Sequence, residues 1–166
     1  MSLLPIIKYP DPVLKQVSET VTEFDDPLRE FISQLNATMQ DGPGGVGIAA
    51  PQVGQFIRLV IVDVSSKKNT VSHGHMVLIN PEITKWEGMQ KGREGCMSVP
   101  DFTGNVIRAE RIHLTAYDPF GEQQQYAMEG FEARAVQHEM DHLDGLLFLD
   151  RLVSKRHDLF ERKVYK

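Results

Sequence analysis

Between residues 57 and 128 the apolar side chains recur at strand spacing, and on both flanks they recur at helical spacing. This division restricts the chain to an α+β fold whose sheet comes from the middle of the sequence. Segments 57–64 (IRLVIVDV), 76–80, 82–86, 112–118 and 123–128 read as strands, with DPFGE at 118–122 as a hairpin connection, so the sheet is largely antiparallel. Residues 24–42 form an amphipathic helix: Asp25 or Asp26 can cap it, Pro27 suits its first turn, and Leu28, Phe31, Ile32, Leu35 and Met39 share one face. Residues 131–144 return to helical spacing and end at Gly145, and a further basic helix is expected within 151–166. A single catalytic domain over 1–166 is the expected organisation.

Charge and cysteine content narrow the class. With 18 Lys and Arg against 23 Asp and Glu, the net charge of −5 has the wrong sign for a surface that tracks nucleic acid throughout. No apolar run approaches the roughly 18 residues that span a bilayer, and the opening MSLLPIIKYPDP lacks the basic start and long apolar stretch of an export signal. Cys96 is the only cysteine, so no intrachain disulfide forms, and the cytoplasm is the expected compartment.

The chemistry concentrates in His138-Glu139-Met140-Asp141-His142, an HExxH string inside the second helix. Two histidines four apart on a helix project from one face and can share a cation, with the glutamate beside the place where a water would be activated. Composition alone produces this string in roughly one chain in two hundred of such length, so context must decide. On a helical wheel Phe131 and Ala135 share the side of His138 and His142, whereas Ala133, Val136, Met140 and Leu143 make a separate core stripe. Structural histidines belong on that stripe; these lie off it.

A catalytic metal site normally takes three protein ligands and keeps one position open. In HExxHxxGxxH peptidases the third is a histidine, but that position is Phe148 here, although Gly145 is in place. A downstream ligand, Glu161, Asp158 or His157, would make the chain a zinc peptidase. Upstream, Cys96 lies in a tight polar stretch between Gly95 and Ser98, and its thiolate suits zinc or iron(II). A buried, inert thiol is the plain alternative, and a closed structural Cys/His site would have no use for Glu139.

Residues 42–54 (GPGGVGIAAPQVG) hold five glycines and two prolines and read as a shaped loop that leads into a strand. The GxGxxA string at 45–50 follows a helix instead of a strand, and no Lys-Ser or Lys-Thr follows the glycines, so neither a dinucleotide fold nor a P-loop is indicated.

Three segments in this order, GVGIAAPQ at 45–52, EGCMS at 94–98 and QHEMDH at 137–142, resemble the signature motifs of the peptide deformylases. INPEI at 79–83, Arg108 and the stretch at 130–150 extend the resemblance over nearly the whole chain. It implies antiparallel sheets packed around the HExxH helix, with the glycine-rich loop and the EGCMS turn closing the metal site. It further implies that Cys96, His138 and His142 bind the metal, that Glu139 is the general acid and base, and that Gln52 and the Met97 backbone N–H hold the oxyanion. Val46, Gly47 and Gly95 would pair with the substrate backbone, and Val46, Phe131 and Ala135 are candidates for an apolar methionine pocket.

The implied reaction removes the formyl group from N-formylmethionine at the start of new polypeptides. One divalent metal is expected: the resemblance favours iron(II), and a thiolate site also accepts zinc, nickel or cobalt. Three residues depart from many members of the family: Met97 stands where Leu is frequent, Thr103 where many bacterial members carry Arg, and Arg134 where many bacterial members carry an apolar residue. Residues 150–166 hold six Lys or Arg against three acids, while the rest of the chain holds twelve against twenty. This asymmetry suggests ribosome docking through the basic tail.

Overall fold

The computed structural model describes residues 3–42 and 45–162. Helix α1 spans Asp26–Asp41, capped by the Asp25 carboxylate, which accepts from the Leu28 N–H at 3.0 Å. Strands β1 (Gly47–Ala49), β2 (Leu59–Val62), β3 (Met76–Glu87), β6 (Arg111–Tyr117) and β7 (Gln123–Glu129) form a five-stranded antiparallel sheet in the order β1-β2-β3-β6-β7. A second antiparallel sheet has the order β4-β5-β8, from Gln90–Cys96, Val99–Arg108 and Leu159–Glu161. Helix α2 covers Gly130–Leu143.

Strand β2 explains why 59–62 is a continuous apolar run. Val60 and Val62 pack with Val136 and Leu143 of α2, while Leu59 and Ile61 pack with Leu35 and Met39 of α1, and all four strand residues are buried. A strand covered on both faces loses the alternation of a half-exposed one. Each such side chain contributes about 1.5–3 kcal/mol. A third cluster, with Leu14, Val99, Val106, Leu147 and Phe148 around Cys96, fastens the second sheet beneath the site. Among the described residues no helix is long and apolar enough to cross a membrane.

The structure departs from the sequence expectations in three places. Segments 76–80 and 82–86 are one strand with an irregularity, because Asn80 adopts φ 51° and the register shifts between Ile79 and Glu82. Pro81, which has no N–H to donate, occupies the irregularity, and the Asn80 side chain bonds both the N–H and the C=O of Val21 at 2.9 Å. Strands β4 and β5 have no clear apolar pattern; the buried residues of β4 are Glu94 and Cys96, so polar groups occupy the positions that hydrophobes usually mark.

The expected C-terminal helix is not formed in the described residues. Phe148–Arg151 is a 3-10 turn, 155–157 form a turn, and β8 pairs with β5 through Phe160 opposite Thr103. Asp158 anchors this path, accepting from the Ser154 N–H at 2.8 Å and from the Asn105 amide at 3.1 Å, while Leu159 joins the edge of the sheet opposite Gly104. Residues 163–166 lie outside the described residues.

Gly145 ends α2 as expected. Its φ of 75° is left-handed, and a Cβ there would run into the backbone carbonyl of Lys15. Gly145→Ala should therefore destabilise the fold by about 2 kcal/mol or more. Urea unfolding should read this as a lower midpoint; an unchanged midpoint would mean that the N-terminal segment does not press on the helix end.

Candidate active site and metal centre

Helix α2 divides its faces as the wheel requires. Ala133, Val136 and Leu143 are buried against the large sheet with Met140 packed beside them, and Phe131, Ala135, His138 and Glu139 line a cavity of about 300 Å³. Opposite stands the end of β4, where Cys96 is buried and closes the strand, so the expected tight turn begins one residue later, at Met97-Ser98.

The ligating atoms of Cys96, His138 and His142 lie within 4.8 Å of one another, all three residues are buried, and Cys96 Sγ is 3.4 Å from His142 Nε2. His138 Nδ1 is 2.9 Å from Glu94 Oε1, which leaves Nε2 for the cluster. One thiol and two imidazoles are a donor set for zinc or iron(II). Two buried atoms beside them, His142 Nδ1 and Glu139 Oε1, have no hydrogen-bond partner among the described residues. The donor chemistry, with the unpaired Glu139 Oε1 beside it, fits a bound divalent cation.

The downstream candidates do not join this cluster. Glu161 and His157 are exposed, and Asp158 is committed to Ser154 and Asn105. Phe148, at the third-histidine position of the other class, is buried and stacks on the His138 ring at 6.3 Å. The zinc-peptidase reading with Glu161 or His157 as third ligand is therefore overturned.

Glu139 lies beneath β1. A Cβ on Gly47 would approach Glu139 Oε2 to 2.6 Å, so only glycine lets the strand pass over the carboxyl group. Burial pushes that carboxyl up to about 7, against the opposing pull of His138. His138 is itself held above its ordinary range, because the neighbouring Glu139, Cys96 and Glu94 outweigh the effect of burial. Burial, and then the His138 charge, keeps His142 well below its ordinary range.

Gln52 sits in a 3-10 turn, Ala50–Val53, with its side chain locked. Oε1 accepts from the Ala49 N–H at 2.9 Å, and Nε2 donates to Ser98 Oγ at 3.0 Å while lying 3.5 Å from Cys96 Sγ. Met97 lines the cavity, and its side chain packs into the α1 cluster. Val46, Gly47 and Gly95 also line the cavity. The Asp63 N–H bonds Val46 C=O, and antiparallel alternation then directs the Gly47 backbone groups to the free edge of β1.

Sequence reasoning gave Glu94 no role. Its buried carboxylate accepts from Arg108 at 2.9 and 3.0 Å, from Arg134 at 2.7 Å and from His138 at 2.9 Å. Burial alone would raise its pKa, but the bonds from His138 and Arg108 prevail and hold it well below the carboxylate range. Arg108 bridges onward to Asp141 at 2.6 Å. Arg134, expected at the helix edge, is instead buried in this network. Thr103 faces its own sheet, 3.4 Å from Arg93. The presence of Glu94 and Arg108 inside resembling segments was the only available signal, since hydrophobic spacing is blind to buried ion pairs.

A family model described as polypeptide deformylase matches residues 3–158. The peptide deformylase of Acidobacterium capsulatum is 45% identical over 168 residues, covering 100% of this chain and 96% of the relative. That of Wolinella succinogenes is 43% identical over 165 residues, covering 99% and 96%. Among solved structures, the Thermotoga maritima peptide deformylase superposes with a TM-score of 0.85 at 35% identity, covering 93% of this chain and all of that one. The Legionella pneumophila enzyme gives 0.84 at 38%, covering 91% and 86%. With agreement running the length of the chain in sequence and backbone alike, this protein belongs to the polypeptide deformylase family.

Proposed function

We propose that the chain acts in the cytoplasm as a single catalytic domain, removing the formyl group from N-formylmethionine at the start of new polypeptides. The observation that carries the reading is the buried Cys96, His138 and His142 cluster beside the Glu139 carboxyl, at the base of a cleft between two strand edges. Cys96, His138 and His142 would hold the metal, with iron(II) favoured and zinc, nickel or cobalt compatible. Bound there, a divalent cation supplies Lewis acidity, easing deprotonation of water and polarising the formyl carbonyl.

The residues of the chain perform the rest. The peptide lies extended between the free edges of β1 and β4, pairing with the backbones of Val46, Gly47 and Gly95. Its methionine side chain enters the pocket lined by Val46, Phe131 and Ala135. Glu139 takes a proton on its unpartnered Oε1 as a water oxygen attacks the formyl carbon. Gln52 Nε2 and the Met97 N–H donate to the oxyanion, and the rigid hold of Ala49 and Ser98 on the Gln52 amide limits reorganisation. The carbon–nitrogen bond then breaks, Glu139 returns the proton to the leaving amine, and formate and a free N-terminus result.

The basic tail supports a further part of the proposal, contact with ribosomal RNA, because Lys155 and Arg156 are exposed in a turn. Truncation would remove β8, so charge reversal is the cleaner test. Lys155→Glu with Arg156→Glu should reduce ribosome co-sedimentation at low salt and converge with the wild type at high salt; equal co-sedimentation at low salt would leave the turn without that role.

Formate release from a formyl-Met dipeptide, paired with metal analysis of anaerobically purified protein, tests the main reading. Cys96→Ser should lose both metal and activity, because a neutral hydroxyl is a far poorer ligand than a thiolate. Full metal content with normal turnover would remove Cys96 from the ligand set. Glu139→Gln should keep its metal and lose kcat by about 10²–10⁴-fold, since an amide cannot accept the proton. Unchanged kcat would sink the assigned role.

A further inference from the structure

The rim of the cleft carries positive charge that deformylation does not use. In a chain of net charge −5, Lys67, Arg93 and Arg162 all line this cavity. Arg134, also in the lining, is committed to Glu94 and backbone carbonyls. Arg93 is held differently. Its guanidinium lies 3.7 Å from the centre of the Phe160 ring and donates to Asn105 Oδ1 at 3.3 Å and to Thr103 Oγ1 at 3.4 Å. These partners are neutral, and no carboxylate pairs with Arg93 among the described residues. Stacking thus orients the planar fork of an exposed arginine while its charge stays uncompensated.

The strand period decides which substrate residue meets it. Along β4, Gly92, Glu94 and Cys96 face α2: a Cβ on Gly92 would lie 2.9 Å from the Arg134 guanidinium, and Glu94 bonds His138. Arg93 and Gly95 face the opposite way, where a Cβ on Gly95 would lie 2.5 Å from Arg162. A peptide extended along this edge alternates in the same sense. With its methionine turned toward Phe131 and Ala135 on α2, the next side chain falls on the face of Arg93.

We propose that Arg93 is a specificity-determining residue that favours formyl-methionyl chains with Asp or Glu as the second residue, through electrostatic attraction between its guanidinium and that carboxylate across the rim of the cleft. The inference rests on the deformylase reading above.

The test compares kcat/KM at low ionic strength for C-terminally amidated formyl-Met-Asp-Ala, formyl-Met-Asn-Ala, formyl-Met-Lys-Ala and formyl-Met-Ala-Asp, with metal-loaded wild type and Arg93→Gln. The Asp peptide should exceed its Asn isostere by about two- to fivefold, the range for an exposed pair, with Lys below Asn. The ratio should fall toward one at high salt and in Arg93→Gln, with Arg93→Lys intermediate. Each ratio is taken within one preparation, so partial misfolding of a variant cancels. A wild-type Asp-to-Asn ratio of one, a ratio unchanged in Arg93→Gln, or a preference found only for Asp at the third residue would each overturn the proposal. Absence of formate from every peptide, the neutral one included, would overturn the deformylase reading and this inference with it.

Discussion

The buried carboxylate of Glu94 joins the two halves of the site. It sits on β4, the strand that ends in Cys96, and it binds His138 on α2, so one side chain ties the thiol-bearing strand to the imidazole-bearing helix. Burying an ionised carboxylate costs several kcal/mol, and only a full set of strong donors offsets it. Arg108, Arg134 and His138 supply that set, and Asp141 balances the second charge of the network through Arg108. Removing any one donor would weaken that compensation, which is why the geometry of the cluster depends on residues that never touch the reacting atoms.

This arrangement also bears on the departure at residue 134. An apolar side chain there would sit between α2 and β4 without bonding anything; Arg134 instead donates to Glu94 and to the carbonyls of Gln90 and Val106. Its guanidinium fills the space beneath Gly92, where a larger residue would collide. The same small residue that admits Arg134 keeps β4 close to the helix, so the pocket wall is polar at this point. At residue 103 the change is of another kind, since Thr103 turns to Arg93 and does not line the cavity.

A glycine performs a comparable service on the other wall of the cleft. Among the described residues strand β1 is an edge strand, paired only with β2, and Gly47 lets it cross directly above the Glu139 carboxyl. A single short strand therefore covers the Glu139 carboxyl, whose burial raises its pKa, and leaves the Gly47 backbone groups on its outer edge. Both effects follow from the same close approach.

The sequence by itself determined the elements whose hydrophobic period is clean: α1 with its Asp25 cap, the doubly buried β2, the β6–β7 hairpin and α2 up to Gly145. It also determined the helical face that carries His138, Glu139 and His142, because i and i+4 spacing on a helix leaves no other option. Its motifs named Cys96, which spacing alone could not join to residues more than forty positions away. Only the tertiary structure decided that β4 and β5 are strands, because β4 buries Glu94 and Cys96 and β5 mixes Val99 and Val106 with Gly104 and Arg108, which leaves no clean apolar alternation. Pairing with β5, a long-range interaction, likewise decided that the tail is a strand, since the local pattern of Leu159 and Phe160 suits either conformation. The Glu94 network was decided at the same level: whether an acid is solvated or buried among arginines depends on what the fold brings within 3 Å of it, and no local pattern records that.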